Sequence, residues 1–283
     1  MKLQLTLGLG LGSHRKVGGL LPETKAYIAR TASATVPCRN ARRLNSDIQL
    51  LKQRMLWDNV VLHISNDGAF DLRPTTQFIT KAYDVTTKGE YSAGVYTGDA
   101  TQSTELLQPT LTANGMQFTS SCLSCLDAPR FAFGSDAFTV LVWVKLGVSV
   151  DTFFGMISKG TSSVGFRAYI DRNNKQMRAS RHNVLNSPST PIDPMDNTVR
   201  QLAYVYLADG NVEFWQNKML DDTVMFTTTS VTTNLLLYIG MQQGQILTYP
   251  LDNGIISDVM VFNTRLLMAD IEALDDHIRP RYT

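Results

Sequence analysis

The chain reads as mainly β, an antiparallel sandwich preceded by a smaller α+β region, and three observations carry that reading. From Leu111 onward, short alternating runs of apolar and polar residues are separated by turn residues, without an intervening helical period. Strands so spaced, with no helices between them, pack as an antiparallel sandwich. The segment from Asn234 to Leu274 reads as strand, loop, strand, turn and short helix, a closing unit for such a fold. Ahead of residue 111 lies the one long stretch with helical spacing. The expected organisation is therefore a smaller α+β region with one amphipathic helix over residues 1–110 and a sandwich over 111–283.

The first element is a pure alternation, with Leu3, Leu5, Leu7, Leu9 and Leu11 on one face and Lys2, Gln4, Thr6, Gly8, Gly10 and Gly12 on the other. A period of two over this length is a half-buried strand. Each glycine costs about 0.5–1 kcal/mol relative to alanine, so the strand needs a neighbour, either in its own sheet or on a second chain. Next, Ala41, Leu44, Ile48, Leu51 and Met55 recur three and four apart, and Arg42, Arg43, Asp47, Gln49, Lys52, Gln53 and Arg54 fill the other faces. This spacing predicts a helix over roughly 40–62, too short for a coiled coil, with a solvated basic face. Trp57, Val60, Val61, Leu62 and Ile64 carry the apolar character on, as helix or strand, to the turn Asn66-Asp67-Gly68.

The later strands follow in order. Asn114 to Phe118, Phe138 to Lys145 and Ile157 to Gly160 are apolar or alternating runs. Phe166 to Ile170 and Gln176 to Ser180 flank the turn Asp171 to Lys175, and Leu202 to Leu207 and Val212 to Gln216 flank Ala208-Asp209-Gly210-Asn211. Both read as hairpins, because Asn and Gly supply the positive φ angles of tight turns. Leu235 to Ile239 run into Gly240, and Ile255 to Phe262 follow Gly254. After Asn263-Thr264-Arg265, the residues Leu266, Leu267, Ala269, Ile271 and Leu274 return to helical spacing. Trp143 and Trp215 fall within strand patterns and are expected in the core.

Composition narrows the chemistry. A formal net charge of +1 over 283 residues lacks the footprint of a nucleic-acid binder. Three cysteines, Cys38, Cys122 and Cys125, do not make a disulfide scaffold, and the lone C-x-x-C is expected to be structural. No apolar run reaches the about 18 residues of a membrane span, and the N-terminus does not read as an export signal. His14, His63, His182 and His277 have no zinc-site spacing. Neither a nucleophile elbow nor a phosphate-cradling loop occurs. No cofactor is expected; calcium is the one ion to weigh, with Asp171, Asn173 and Asn174, or Asp252 and Asn253, as loop oxygens.

Gly254-Ile255-Ile256-Ser257-Asp258-Val259, Phe138 to Lys145 and Ile157-Ser158-Lys159-Gly160 resemble, respectively, the G-x-I-D-E-V, F-T-I-S-A-W-V-K and I-x-S-K-G phrases of the laminin-G-like, concanavalin-A-like jelly-roll family, with Ser257 where that family usually has Asp. In the front half, the Leu3 to Leu11 strand, Ala26-Tyr27-Ile28-Ala29-Arg30-Thr31, the helix with Trp57 and Ala82-Tyr83-Asp84-Val85 are similar, in order and phrase, to certain tailed-phage virion proteins. The resemblance implies a structural protein on a virion's head, neck or tail. It would display a jelly roll, associate with other virion proteins and with copies of itself, and engage a host surface glycan. A host-receptor adhesin and a glycan-cleaving enzyme on the same fold are the alternatives. Glucanases of this fold need paired carboxylates, roughly 5–10 Å apart, from an E-x-D-x-x-E strand. That pattern does not occur, and Glu213, alone inside a strand, is expected to face solvent, so the chain reads as non-enzymatic. Tyr249 beside Pro250, with Asp171 and Asn173, is the expected glycan-contacting set.

Overall fold

The computed structural model describes residues 19–88, 91–92, 95–146, 153–160, 164–171, 176–181, 184–186, 198–226, 231, 233–241 and 253–282. The strand expected at Leu3 to Leu11 lies outside them. The described chain opens with α1 (Pro22–Arg30), whose proline occupies the first turn, where its missing N–H costs nothing. The sequence reading did not recognise this helix. It packs on α2 (Ala41–Gln53), which begins at Asn40, whose side-chain oxygen accepts from the Arg43 amide at 3.1 Å.

The helix expected over 40–62 ends instead at Gln53. The Met55 amide donates to the Lys52 carbonyl at 3.0 Å and the Leu56 amide to the Leu51 carbonyl at 2.7 Å, while Met55 takes φ 58°. This is a Schellman closure built on methionine instead of the usual glycine. The chain re-enters as strand β1 (Val60–Ser65), every residue of it buried.

Ten short or medium strands follow: β2 (Phe70–Leu72), β3 (Ile79–Ala82), the separate hairpin β4 (Tyr91–Ser92) and β5 (Val95–Tyr96), β6 (Ala100–Thr101), β7 (Thr110–Leu111), β8 (Met116–Phe118), β9 (Leu123–Cys125), β10 (Phe138–Lys145) and β11 (Phe153–Gly160). Then come the hairpin β12 (Gly165–Asp171) and β13 (Gln176–Arg181), β14 (Val184–Asn186), the hairpin β15 (Val199–Tyr206) and β16 (Asn211–Gln216), β17 (Met219–Met225), β18 (Leu237–Ile239), β19 (Gly254–Phe262) and helix α3 (Met268–Ile278). Both hairpins and β10, β19 and α3 stand where the residue pattern put them.

Two antiparallel sheets form the sandwich. One runs β17-β16-β15-β10-β19-β8-β7, with β1 also on β19; the other runs β14-β13-β12-β11-β18-β9-β6-β3-β2. Both draw strands from either side of residue 110. The free edge of β19 is shared, its first residues pairing with β8 and its last with β1. Between the sheets, Val140, Val142, Tyr204, Val259 and Val261 meet Phe154, Phe166, Ala168, Ile170 and Ile239. Phe138 stacks on Tyr206 at 4.3 Å, and the Tyr204 and Tyr206 hydroxyls donate across the core to the Tyr169 and Arg167 carbonyls at 2.9 and 2.8 Å. Gly240, at φ +84°, ends β18 because a Cβ there would sit 2.2 Å from the Phe118 ring.

The first sheet is buried on its outer face too. Leu141, Trp143, Ala203, Trp215, Met260 and Phe262 pack against Leu51 of α2 and Ile271, Leu274 and Ile278 of α3. Trp143 is fully buried and donates from Nε1 to Asp275 Oδ1 at 3.1 Å. Glu213, expected to face solvent, is buried here: it accepts from Trp215 Nε1 at 3.2 Å and from Arg265 at 2.6 Å. The covering layer over this sheet turned an ordinary outward position inward. No helix among the described residues is long and apolar enough to cross a membrane.

After α3 the chain closes a clasp across the N-terminal elements. Arg281 pairs with Asp47 of α2 through two bonds, one of them 3.1 Å, and approaches Asp67 at 3.6 Å. His277 Nε2 stands 3.0 Å from Asp47 Oδ1. Asp258 Oδ2 accepts from the Tyr282 hydroxyl at 2.5 Å, and Asp258 Oδ1 lies 3.2 Å from His63 Nε2. Burial opposes charge on Asp47, but His277 and Arg281 outweigh it and hold the carboxyl below its ordinary value. Asp67 goes the other way: burial, then the Asp258 charge, push it up to about 6 against the weaker pull of Arg43 and Arg281.

Two outcomes are expected from this packing. Trp143→Ala should cost about 3–5 kcal/mol in urea denaturation; a loss under about 1 kcal/mol would contradict its place between sheet and helices. Asp67 holds its proton more tightly folded than unfolded, so its contribution to stability is greatest below about pH 4 and declines as pH rises through about 6. Asp67→Asn should therefore gain stability on the native chain between pH 4 and pH 7, and an offset equal at both pH values would show that Asp67 does not titrate in that window.

Candidate functional site

An open pocket of roughly 330 Å³ lies at the rim of the first sheet, where β10 ends and β15 and β19 begin. Lys145, the last residue of β10, stands between Val199 on one neighbouring strand and Ile255 on the other. Alternation places it on the same face as Leu141 and Trp143. Those two residues are sealed under the helices, whereas Lys145 extends past the covering layer and is only partly buried.

One irregularity shapes the wall. Trp143 pairs with Asp258 but Val144 pairs with Ile256, so β19 carries one extra residue, Ser257. A bulge of this kind leaves its extra residue out of the ladder and re-aims it. Ser257 uses that freedom to donate from Oγ to the Asn114 carbonyl at 2.7 Å, while its own carbonyl accepts from the Asn66 amide at 2.8 Å.

The β7–β8 turn, which forms the opposite wall, is fixed on several sides. The Thr112 amide and hydroxyl both donate to the Gly115 carbonyl at 2.8 Å. Asn66 Nδ2 donates to the Ala113 carbonyl at 2.9 Å and Arg39 Nη1 to the Thr112 carbonyl at 3.1 Å. Gly115 permits the close approach: its φ is +147°, and a Cβ there would lie 2.4 Å from the Ile256 carbonyl oxygen. The exposed Asn114 side chain is thereby presented on a held backbone. Tyr282 completes the lining, with its hydroxyl committed to Asp258 and so its ring fixed in place.

The chemistry on offer is an ammonium, a carboxamide, the Thr198 hydroxyl, a tyrosine ring and the aliphatic surface of Val199 and Ile255, with the buried Ser257 hydroxyl committed to the Asn114 carbonyl behind them. Among the described residues no Asp or Glu lines the pocket. Among the described residues no hydrogen bond or ion pair engages the Lys145 ammonium or the Asn114 carboxamide. Convergent polar groups over an apolar floor are the usual make-up of a small-ligand site.

The residues singled out from the sequence lie elsewhere. Tyr249 and Asn173 fall outside the described residues, as do Asn174 and Asp252. Asp171 ends β12 in the other sheet, buried and paired with Arg178 at 3.0 Å. Asn253 accepts from the Thr119 hydroxyl at 3.1 Å. Among the described residues no group of three or more His, Cys, Asp or Glu is disposed to hold a metal ion. Cys122 and Cys125 are buried free thiols, and burial pushes both up, Cys122 to about 11, so neither offers a thiolate at neutral pH. The sequence reading missed Lys145, Asn114 and Tyr282 as site residues. A lysine closing an apolar strand was the one available signal, and by itself it is ordinary.

No curated protein matches the chain. Among solved structures, the chain is similar to botulinum neurotoxin type C, which interacts with two ganglioside molecules, at 15% identity and a TM-score of 0.53, over 79% of this chain and 52% of the toxin chain. It is similar to the binding domain of botulinum neurotoxin DC, solved with rat synaptotagmin II, at 14% identity and a TM-score of 0.50, over 78% and 52%. Trypanosoma rangeli sialidase, in complex with sialic acid, is similar at 14% identity and a TM-score of 0.53, over 78% of this chain and 33% of the enzyme. The chain thus spans about half the length of the toxin chains and a third of the sialidase, and at these identities the likeness is one of fold. A family model described as the concanavalin A-like lectin/glucanases superfamily matches residues 124–272, more than half of the sequence. With its two-sheet antiparallel sandwich and that match, the chain belongs to the concanavalin A-like lectin/glucanase superfamily.

Proposed function

We propose that this protein is a non-enzymatic, lectin-like recognition module that binds a glycan at the rim pocket and is displayed on the surface of a tailed-phage virion. The observation that carries the binding half is the pocket itself. An amide and an ammonium without partners among the described residues converge beside a fixed tyrosine ring and an aliphatic floor, the combination that hydroxyl-rich, partly apolar sugar rings require. A toxin that interacts with ganglioside molecules and a sialidase in complex with sialic acid are among the proteins that contain this fold, which supports the glycan reading.

A binding role, as opposed to hydrolysis, is supported by the pocket lining, which among the described residues contains no carboxylate, and by the engagement of Asp258, beside Ser257, with His63 and Tyr282. The virion assignment rests on the front-half phrases from Leu3 to Val85. An open pocket buries little of its ligand, so single-site affinity is weak and many copies on one particle supply avidity, where linkage can add roughly 10²–10⁴-fold. Homo-oligomerisation and contact with other virion proteins fit that arrangement.

Screening the full chain on a glycan array should identify at least one saccharide ligand, and Asn114→Ala should weaken it roughly 2- to 10-fold, the value of one hydrogen bond, without lowering the melting temperature. Incubating protein with the bound saccharide should release no reducing ends; sustained release would make the chain an enzyme. Deleting residues 2–12 should abolish incorporation into particles while the melting temperature holds, and normal incorporation of the truncated chain would end the anchoring role of the Leu3 to Leu11 strand.

A further inference from the structure

The state of Lys145 says more about the ligand than the pocket's general make-up. Its backbone is pinned on both sides, by Val199 and by Ile255, so the side chain starts from a fixed point on the pocket's rim. The side chain is partly buried and, among the described residues, meets neither a carboxylate nor a carbonyl. The carboxylate nearest in the β-ladder, Asp258, is already shared between His63 and Tyr282, and Asp47 and Asp67 face Arg281.

We infer that the rim pocket selects a sugar carrying a single negative charge, a carboxylate or a sulfate, with Lys145 as its counter-ion. This rests on the glycan reading above and narrows it. A neutral sugar seated here would strip water from the ammonium and return no charge, which is costly for a cation beside apolar walls. An anionic sugar replaces that water with a charge-assisted hydrogen bond, roughly twice as strong as a neutral one and strengthened by the low polarity of Val199 and Ile255. Among the described residues the pocket lining contains one cation and no anion, which matches one negative charge on the ligand. The exposed Asn114 carboxamide is then left to orient the sugar's hydroxyls.

Titration calorimetry of the full chain against three matched oligosaccharides tests this, the three differing at one residue that is carboxylated, sulfated or neutral. The native chain should bind at least one anionic member about tenfold or more tightly than the neutral one, and the stronger of the two anionic arms names the group. Lys145→Gln should bring that ratio close to one without lowering the melting temperature, and Lys145→Arg should keep the preference. A native chain that does not favour either anionic sugar, or a preference that survives in Lys145→Gln, overturns the inference. In that case neutral-sugar binding that falls in Asn114→Ala would still uphold the glycan reading, whereas absence of binding to all three would bring down both.

Discussion

Asp258 sits well inside β19, fully buried, and both of its oxygens are engaged, one facing His63 of β1 and the other accepting from Tyr282 near the chain's end. A carboxylate at that depth is tolerated only where partners satisfy it, and removing one partner of such a pair typically costs more than the pair contributes. Three distant segments meet at this one side chain. The contact aligns β1 along the later half of β19, holds the C-terminal residues over α2 and fixes the Tyr282 ring at the pocket. With Arg281 on Asp47 it forms a connected polar network inside an otherwise apolar layer, and such networks specify one arrangement when every member is satisfied.

The helical layer explains much of the rest. In a simple sandwich each strand shows one apolar and one polar face. Here α2 and α3 cover the outer face of the first sheet, so β10 and β15 are buried on both sides and read as nearly continuous apolar runs. The rim pocket exists where this cover stops. Leu141 and Trp143 lie beneath it and Lys145, two residues on, lies beyond it, so one strand supplies both core and site.

The placement of the pocket fits a general property of this architecture: the sheets supply rigidity and the strand ends and turns supply recognition. Asn114 is carried on a turn tied down by Thr112, Asn66 and Arg39, and Ser257 on a bulge. Asn114 is exposed to a ligand yet fixed by a network that reaches into the N-terminal elements, and the buried Ser257 hydroxyl holds its backbone from behind. That gives the residues before 110 a part in the site as well as in the sheets.

By itself the sequence determined the elements whose signal is local. β10 was legible to the residue and β19 to within one, because a long apolar run bounded by turn chemistry has one reading, and both hairpins followed from their Asn and Gly turns. The laminin-G-like phrases identified the sandwich. Tertiary structure decided what depends on contacts between remote residues. The helix over 40–62 was read too long because its stop is a Schellman closure on Met55, which carries no glycine to announce it, and α1 was passed over as a short segment stabilised by docking on α2. Glu213 turned inward because α3 and its preceding turn cover that face. The pocket was illegible for the same reason: Asn114, Lys145, Ser257 and Tyr282 come together only through strand register, one bulged residue and a C-terminal clasp, and none of these has a periodicity of its own to leave in the sequence.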